Sequence, residues 1–274
     1  MAPRLASKRT PSAEPPDGAQ TVRRAMSVLR LVAAGQDRGV RLTDVAAMSG
    51  LARPTVHRLL KVLMDETAVE QDAATRRYRI GNEITLLGLA RPGGVSVRAV
   101  AEPYLAALAA DVGDTVFLSV RHGADSVCIG RYLGSHPIQV LSIDVGARRP
   151  LGASVSGLVL LAGLPADEAA ALIARNEKRL ATAGRTAKEV ADTVEAVRRQ
   201  GHVYAPKGVM PGTTAMGVPV RDAAGQTVAA ISIATLSERL NRDRARTVLA
   251  SMQAHVARIG KRFGEIERAR AGRR

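Results

Sequence analysis

Three side chains on one face of a short predicted helix have the chemistry to bind DNA. In the segment RPTVHRLLKVL, His57, Arg58 and Lys61 fall on one side of the helix, and apolar residues fall on the other. Arg53 and Thr55 lie at its start. Cationic and hydroxyl side chains on an outer helix face can donate hydrogen bonds to base edges in the major groove and to phosphates. The solvated side of an ordinary helical hairpin would also be basic, so the neighbouring elements matter.

The residues before this helix predict a helix-turn-helix. Leu42, Val45 and Ala46 follow the i, i+3, i+4 spacing of an amphipathic helix. Gly50 stands just past its end, where a left-handed backbone is favourable for glycine. Pro54 suits the first turn of the second helix, where the missing N–H costs least. The two helices would therefore present the basic face as a recognition helix.

The residues after it predict a basic β-hairpin. In residues 68–81, Val69, Tyr78 and Ile80 alternate with polar neighbours, and Asp72-Ala73-Ala74-Thr75 can form the turn. The turn and the second strand carry Arg76, Arg77 and Arg79. A hairpin directly after a recognition helix is the wing of a winged helix-turn-helix, and its arginines are expected to hold phosphates rather than read bases.

An amphipathic helix is also predicted at the start of this domain. Arg23 and Arg24 lie at its beginning, where they can meet the DNA backbone. Its apolar stripe is expected to consist of Val22, Ala25, Met26, Leu29 and Val32 or Ala33.

The charge of the chain is concentrated at its two ends. The 274 residues carry a formal charge of +15. Residues 1–91 hold 15 Lys/Arg and 9 Asp/Glu, residues 92–237 hold 14 and 12, and residues 238–274 hold 11 and 4. The excess at the N-terminus fits a nucleic-acid partner. We interpret the excess at the C-terminus as a solvated helix face followed by a basic tail.

Several classes of protein are not indicated. The lone cysteine, Cys128, lies in an apolar strand-like run and forms no disulfide within the chain. The sequence contains no run of about 18 apolar residues, so no membrane span is expected. The five histidines lack zinc-ligand spacing, and no HExxH, GxSxG or P-loop motif is present. We therefore expect no metal ion, no cofactor, no enzymatic activity and no membrane partner, and a cytoplasmic protein.

The second half of the chain predicts an α+β domain with an antiparallel sheet. The expected strands are Thr115–Arg121, Ser126–Tyr132, Ile138–Ile143, Thr213–Arg221 and Thr227–Ala234. The expected helices are Val97–Val112, Ser154–Ala162, Ala166–Asn176, Ala187–Gln200 and Arg242–Arg262.

Composition and pattern together suggest five segments. They are a disordered arm (1–19), a winged helix-turn-helix domain (20–81), a linker helix and hinge (82–94), an α+β domain (95–265), and a basic tail (266–274).

The chain resembles the IclR family of bacterial transcription regulators from about Thr21 to Phe263. The resemblance rests on LTDVAAMSGLARPTVHRLLKVL and RRYRIG, then on DVGARRPLGASVSGLVLLAG and GTTAMGVPVRDAAGQTVAAISI, in that order. It implies a winged helix domain, a linker helix and a GAF-like, profilin-like α/β domain, which would make residues 95–265 an effector-binding and oligomerisation domain. It also implies dimers that often pair into tetramers, operator DNA as partner, and control by a small organic molecule, commonly a carboxylic acid.

The resemblance places the effector on one face of the sheet, against two glycine-containing segments and a central strand. The matching residues here are Gly146, Leu151, Ala153, Ser154, Val155, Thr213, Thr214, Ala215, Met216 and Ile231. Ser154 can cap the helix that it precedes, which would aim a helix N-terminus at an anion. Leu118 is expected to add to the apolar lining. The same glycines and Ser154 would also suit plain turns and a cap.

The chain departs from the family pattern near this expected site. Gly152 stands where many relatives have His, and Leu158 stands where many have Lys. Arg148, Arg149 and Lys207 can favour an anionic ligand, although the two arginines equally suit a solvated loop. The small residues suggest room for a bulkier acid, such as an aromatic one. The competing interpretation is a constitutive DNA-binding regulator, or an architectural protein whose second domain only oligomerises.

Overall fold

The computed structural model describes residues 17–90 and 96–271, which belong to two compact units, Met1–Arg91 and Pro92–Arg274. Most of the expected N-terminal arm, the expected hinge at Arg91–Gly94 and the last three residues lie outside the described residues. The first helix begins at Asp17, so residues 17–19 of the expected disordered arm are helical instead.

The first unit is a winged helix-turn-helix followed by one more helix. Its elements are α1 (Asp17–Ala34), a short 3₁₀ helix (Gln36–Arg38), α2 (Leu42–Ser49), α3 (Arg53–Asp65), β1 (Val69–Gln71), β2 (Tyr78–Ile80) and α4 (Asn82–Leu89). Strands β1 and β2 pair antiparallel, with Val69 opposite Ile80. The predicted helix-turn-helix and hairpin are confirmed.

The core of this unit lies where α1, α2 and α3 meet. Val28, Val45, Val56 and Leu60 have no exposed surface. The predicted stripe of α1 is partly wrong, because Val22 and Met26 remain 63% and 46% exposed. The buried side of α1 is instead centred on Val28 and Val32, with Ala25 and Leu29 beside them. Several apolar residues lie around this helix, so their periodicity alone did not fix which side is buried.

The second unit has three layers with a six-stranded antiparallel sheet in the middle. Its helices are α5 (Val97–Val112), α6 (Val155–Ala162), α7 (Ala166–Thr182), α8 (Ala187–Gln200) and α9 (Arg242–Ala271). Its strands are β3 (Thr115–His122), β4 (Asp125–Tyr132), β5 (Arg148–Pro150), β6 (Val203–Ala205), β7 (Thr213–Arg221) and β8 (Thr227–Leu236), in the spatial order β5-β4-β3-β8-β7-β6. Helices α5 and α9 cover one face, and α6, α7 and α8 cover the other.

One predicted strand does not form. Residues 138–143 are a loop that Gln139 anchors to the sheet. Its Nε2 donates to the carbonyl oxygen of Gly113 at 3.1 Å, and its Oε1 accepts from the Thr115 hydroxyl at 2.8 Å. The edge of β4 is paired instead with β5, a short strand that the sequence did not indicate, as it did not indicate β6.

Two helices are longer than predicted. Helix α7 continues to Thr182 rather than ending at Asn176. Helix α9 continues to Ala271, so most of the expected basic tail belongs to it.

A buried carboxylate fastens one end of the sheet to α9. Asp114, 2% exposed, accepts hydrogen bonds from the Thr235 hydroxyl at 2.7 Å and from Arg239 Nε at 3.1 Å. Its second oxygen accepts from Arg244 at 2.6 Å. Burial raises the pKa of Asp114, but these three donors outweigh it and the net pKa is lowered. Asp114 is therefore a charged anchor.

Candidate DNA-binding surface and ligand cavity

The recognition helix α3 is held by its apolar side and leaves its basic side open. Gly50 has φ of +67° and donates its N–H to Ala46, which ends α2 in a tight turn. The side chains of Val56, Leu59 and Leu60 are buried against α1 and α2. Thr55 is half-buried, and the predicted DNA contacts Arg53, His57, Arg58 and Lys61 are exposed.

These cations are available to an external anion. Among the described side chains of this unit, no ion pair involves Arg53, Arg58 or Lys61. Arg23 and Arg24 on α1 are likewise exposed and form no ion pair there. These five cations, which form no ion pair among the described side chains, can neutralise phosphates and release the counterions bound to them.

The two arginines of the wing that are predicted to contact phosphate, Arg76 and Arg77, lie in different surroundings. Asp72 caps the turn by accepting from the amide and hydroxyl of Thr75, each at 2.6 Å. Arg76 is exposed with φ of +57° at the end of the turn. Arg77 instead donates to the carbonyl oxygen of Gly39 at 3.0 Å, which ties the wing to the residues before α2. Arg76 is the wing arginine with the freer side chain.

A cavity of about 960 Å³ lies between the sheet and the layer of α6, α7 and α8. Strands β3, β4 and β8 form its floor. The N-terminus of α6 forms one wall, and the α7–α8 connection and the loop between β6 and β7 form the others. This volume suits a small organic molecule.

Five of the ten predicted effector residues line the cavity. They are Ala153, Ser154, Val155, Thr213 and Ala215. Ser154 is the N-cap of α6, since its hydroxyl accepts from the Gly157 amide at 3.3 Å. The first amides of an α-helix have no partner within the helix, so the positive end of α6 is directed at the cavity.

The other five lie elsewhere. Thr214, Met216 and Ile231 have side chains on the opposite face of the sheet, and Met216 and Ile231 belong to the core under α5 and α9, as does Leu118. Successive side chains of a strand point to opposite faces of the sheet. Because Thr213 and Ala215 face the cavity, Thr214 and Met216 face away from it. Leu151 is buried among α6, α7 and α8. Gly146 donates its N–H to the Cys128 carbonyl oxygen and does not reach the cavity lining.

Sequence reasoning missed the residues of the cavity floor. Phe117, Ser119, Ser126 and Ser232 come from β3, β4 and β8 and share one face of the sheet. The signal was present in TVFLSV, where Phe117 and Ser119 alternate with Val116, Leu118 and Val120. A serine inside an otherwise apolar buried strand indicates a polar function on that face.

The electrostatics of the cavity favour an anion. Arg149 points at it from β5, and the one hydrogen bond of its side chain among the described residues goes to the Ser142 carbonyl oxygen at 2.8 Å. Burial lowers the pKa of Arg149 because it partly desolvates the guanidinium charge, and no ion pair with a described carboxylate compensates for it. Arg179 also lines the cavity, but Asp125 neutralises it at 2.7 Å. Lys207 adds a further cation at the loop between β6 and β7.

Two glycines let the backbone close around this site. Gly152 has φ of +96°, and a Cβ there would lie 2.7 Å from Val190 Cγ1. A Cβ on Gly217 would lie 2.5 Å from Val155 Cγ1. Larger residues would therefore push α6 and α8 away from the sheet.

Two further kinds of feature concern residues 17–90 and 96–271, the part of the chain that the structure describes. No cluster of three or more His, Cys, Asp or Glu side chains is placed there to bind a metal ion. No helix in that part of the chain has both the length and the apolarity of a membrane span. Cys128 is fully buried, and burial raises the pKa of its thiol to about 11.

A helix-turn-helix with an exposed basic face, joined in sequence to an α/β unit with an anion-favouring cavity, defines the class of transcription regulators that bind DNA. The comparison with known families agrees. The IclR helix-turn-helix domain matches residues 21–73, and the bacterial transcriptional regulator IclR C-terminal domain matches residues 93–261. The chain belongs to the IclR family.

Individual relatives cover most of the chain. The glycerol operon regulatory protein of Streptomyces coelicolor is 33% identical over 82% of this chain and 87% of its own length. The transcriptional repressor AllR of Escherichia coli is 30% identical over 83% and 84%. An IclR homologue of Microbacterium hydrocarbonoxydans, solved in complex with 4-hydroxybenzoate, has a TM-score of 0.66 over 89% of this chain and 98% of that one. Its identity of 22% supports the shared fold.

Proposed function

We propose that this protein is a transcription regulator whose affinity for its operator is controlled by a small organic carboxylate bound in the second unit. The observation that carries the proposal is Arg149, a half-buried cation that faces a cavity of about 960 Å³ and has no carboxylate partner among the described residues. A cation in this position is costly unless a ligand neutralises it. A domain that served only for oligomerisation would not need this arrangement.

On the DNA side, the contacts are divided between base reading and positioning. His57, Arg58 and Lys61 enter the major groove, while Arg53 and Thr55 contact flanking phosphates at the start of α3. Arg76 holds the backbone beside the wing. Arg77 mainly positions the wing through Gly39. Arg23 and Arg24 add contacts to phosphates from α1.

On the ligand side, the carboxylate binds Arg149 and the N-terminal turn of α6, where Ser154 and Val155 begin the helix. Ala153, Thr213 and Ala215 shape the adjoining wall. A relative of the same fold was solved with 4-hydroxybenzoate, which is itself a small organic carboxylate. The protein requires no metal ion or cofactor for this role, and no enzymatic activity is proposed.

The working form is a homodimer that can pair into a dimer of dimers. Helix α4 exposes Leu86, Leu87 and Leu89 by 51%, 59% and 76%. Adjacent exposed leucines on one helix favour burial against a second copy of the chain. A two-fold dimer presents two recognition helices to two half-sites of an operator in the cytoplasm.

The effector acts only if it binds one arrangement of the dimer more tightly than another. A hundredfold preference would shift the balance between two arrangements by about 2.7 kcal/mol. This energy suffices to change operator occupancy without direct contact between ligand and DNA.

The test measures DNA affinity and ligand binding in the same full-length protein. DNA that the protein selects from a random pool is labelled, and its binding is followed by fluorescence anisotropy with and without a panel of small carboxylic acids. We expect at least one acid to change the dissociation constant for DNA at least tenfold. Arg149→Gln should remove that effect of the acid and leave the affinity for DNA in the absence of acid unchanged.

The competing interpretation gives a different result. A constitutive regulator or an architectural protein would bind the selected DNA with the same affinity at every acid concentration. Thermal unfolding of the same samples provides the control, because a bound acid at one hundred times its dissociation constant stabilises the protein by about 2.7 kcal/mol. No change in either measurement for any acid would reject the proposed control by an effector.

A further inference from the structure

The floor of the cavity contains a hydroxyl group that the protein does not use. Ser119 lies on β3, is 3% exposed and lines the cavity. Among the described residues, its side chain has no hydrogen-bond partner, whereas the nearby Ser126 hydroxyl donates to the Arg149 carbonyl oxygen at 3.3 Å. The Ser119 oxygen is open to the cavity, so it can exchange a hydrogen bond with a molecule that fills it. Ser119 therefore offers a ligand a hydrogen bond from the floor.

A second pair of hydroxyls lies beside it. Ser156 of α6 and Ser232 of β8 are both buried, with their oxygens 2.9 Å apart. One hydroxyl of such a pair donates to the other, which leaves the second proton free to donate elsewhere. Both residues line the cavity, so this second proton is also available to a ligand.

The polar floor is specific to this face of the sheet. The same strands place Leu118, Val116 and Ile231 on the opposite face, where they are fully buried in an apolar core. Since a sheet covered by helices can be apolar on both faces, serines confined to the cavity side are explained by a polar ligand rather than by packing.

We propose that the effector is a polyhydroxylated carboxylate of the sugar-acid class, an inference that rests on the proposed function. Its carboxylate binds Arg149, and its hydroxyl groups bind Ser119 and the Ser156–Ser232 pair. Arg149 on β5 is level, across β4, with Arg121 on β3, which lies two residues from Ser119, so the backbones of Arg149 and Ser119 are about 12 Å apart. The arginine side chain spans part of this distance, and an acid of about four to six carbons spans the rest.

An unsubstituted aliphatic or aromatic acid would fit this floor poorly. It would neutralise Arg149 but bury Ser119 without a partner. Sites built to hydrogen-bond a ligand hydroxyl discriminate strongly against analogues that lack it, because the polar groups of the site are then left unpaired. The aromatic side chain of Phe117 on the same floor can pack against the carbon side of a sugar acid.

The experiment is calorimetric titration of the full-length protein with matched acids. The hydroxylated set comprises the stereoisomeric aldonates and aldarates with four to six carbons. The comparison set comprises butanoate, pentanoate, hexanoate, benzoate and 4-hydroxybenzoate. We expect at least one hydroxylated acid to bind at least tenfold more tightly than every acid of the comparison set.

The variants separate this inference from the function on which it rests. Ser119→Ala should weaken the best hydroxylated acid at least fivefold, and it should not weaken the binding of unsubstituted acids. Ser251→Ala on α9, on the other side of the sheet, is the matched control and should change neither. Arg149→Gln should weaken both sets. Unfolding midpoints of the variants verify that each is folded.

Three results would count against it. If unsubstituted acids bind as tightly as hydroxylated ones and Arg149→Gln abolishes that binding, the polyhydroxylated class is wrong and the carboxylate-controlled regulator stands. If Ser119→Ala leaves the affinity for the best hydroxylated acid unchanged, the assignment of Ser119 is wrong. If no acid of either set binds, both the inference and the proposed function are overturned.

Discussion

Replacing Asp114 by Asn should destabilise the second unit strongly, because this carboxylate fastens α9 to the sheet. Asp114 is buried, and one of its oxygens accepts from Thr235 and Arg239 while the other accepts from Arg244. Asparagine keeps only one acceptor oxygen. Its amide group would then face one of the two arginines, so a donor would meet a donor.

The expected cost follows from these contacts. A hydrogen bond to a charged group contributes about 1.5–3 kcal/mol, and removing one partner of a buried ion pair costs about 3–5 kcal/mol. The side chains of Arg239 and Arg244 are 27% and 28% exposed, so water can partly solvate them after the change. We therefore expect Asp114→Asn to lower the free energy of unfolding by about 2–3 kcal/mol.

Urea unfolding of the full-length protein, followed by circular dichroism, measures this cost. The control is Asp144→Asn, since Asp144 pairs with Arg131 at 2.7 Å but is 63% exposed. An exposed pair should contribute less than about 1 kcal/mol. Equal costs for the two variants would refute the reasoning that burial makes the Asp114 network strong.

The pH dependence gives an independent check. Because the pKa of Asp114 is lowered in the folded protein, its stabilisation is fully present above the unfolded pKa of about 3.9 and is lost as pH falls through the folded value. The difference between the protein and Asp114→Asn should therefore be constant near neutral pH and shrink below about pH 4. A difference that persists in acid would show that the carboxylate charge is not its source.

Further changes test the DNA-binding surface and the buried thiol. Arg58→Ala should reduce affinity for the selected DNA by about 1–3 kcal/mol in anisotropy titrations and relax the sequence preference; unchanged binding would remove Arg58 from the recognition surface. Arg76→Ala should weaken binding to all sequences alike and reduce the slope of log affinity against log salt by about 1, whereas an unchanged slope would mean no phosphate contact. Cys128, with its pKa raised to about 11, should react with a thiol reagent at pH 8 far more slowly in the folded protein than in urea, and equal rates would contradict its burial.

The sequence was sufficient for the DNA-binding unit because the forces that shape it are local. Leu42, Val45 and Ala46 define the buried side of α2, and Gly50 and Pro54 mark the boundaries of the two helices within a few residues of one another. The basic face of α3 then follows from helical periodicity, since the buried and exposed sides of one helix determine each other.

The second unit was predictable in class and in most of its elements but not at the sheet edges. The loop at residues 138–143 has the apolar alternation of a strand. Whether such a segment pairs depends on which neighbour reaches the free edge, and here β5 occupies it. Pairing between segments distant in the chain is decided by the tertiary structure rather than by local propensity.

The cavity shows most clearly which features the sequence predicts and which depend on the tertiary structure. The resemblance to a family indicated the segments around Ser154 and Thr213, but it could not assign the side chains of β7 and β8 to a face. Helices cover both faces of this sheet, so buried residues on either side look alike in the sequence. Only the assembled sheet brings Ser119, Arg149 and the N-terminus of α6 to one cavity and places Met216 and Ile231 in the core on the opposite face. The sequence by itself determined the class of regulator, and the tertiary structure decided which side chains line the cavity, because strand pairing brings together residues that are far apart in the chain.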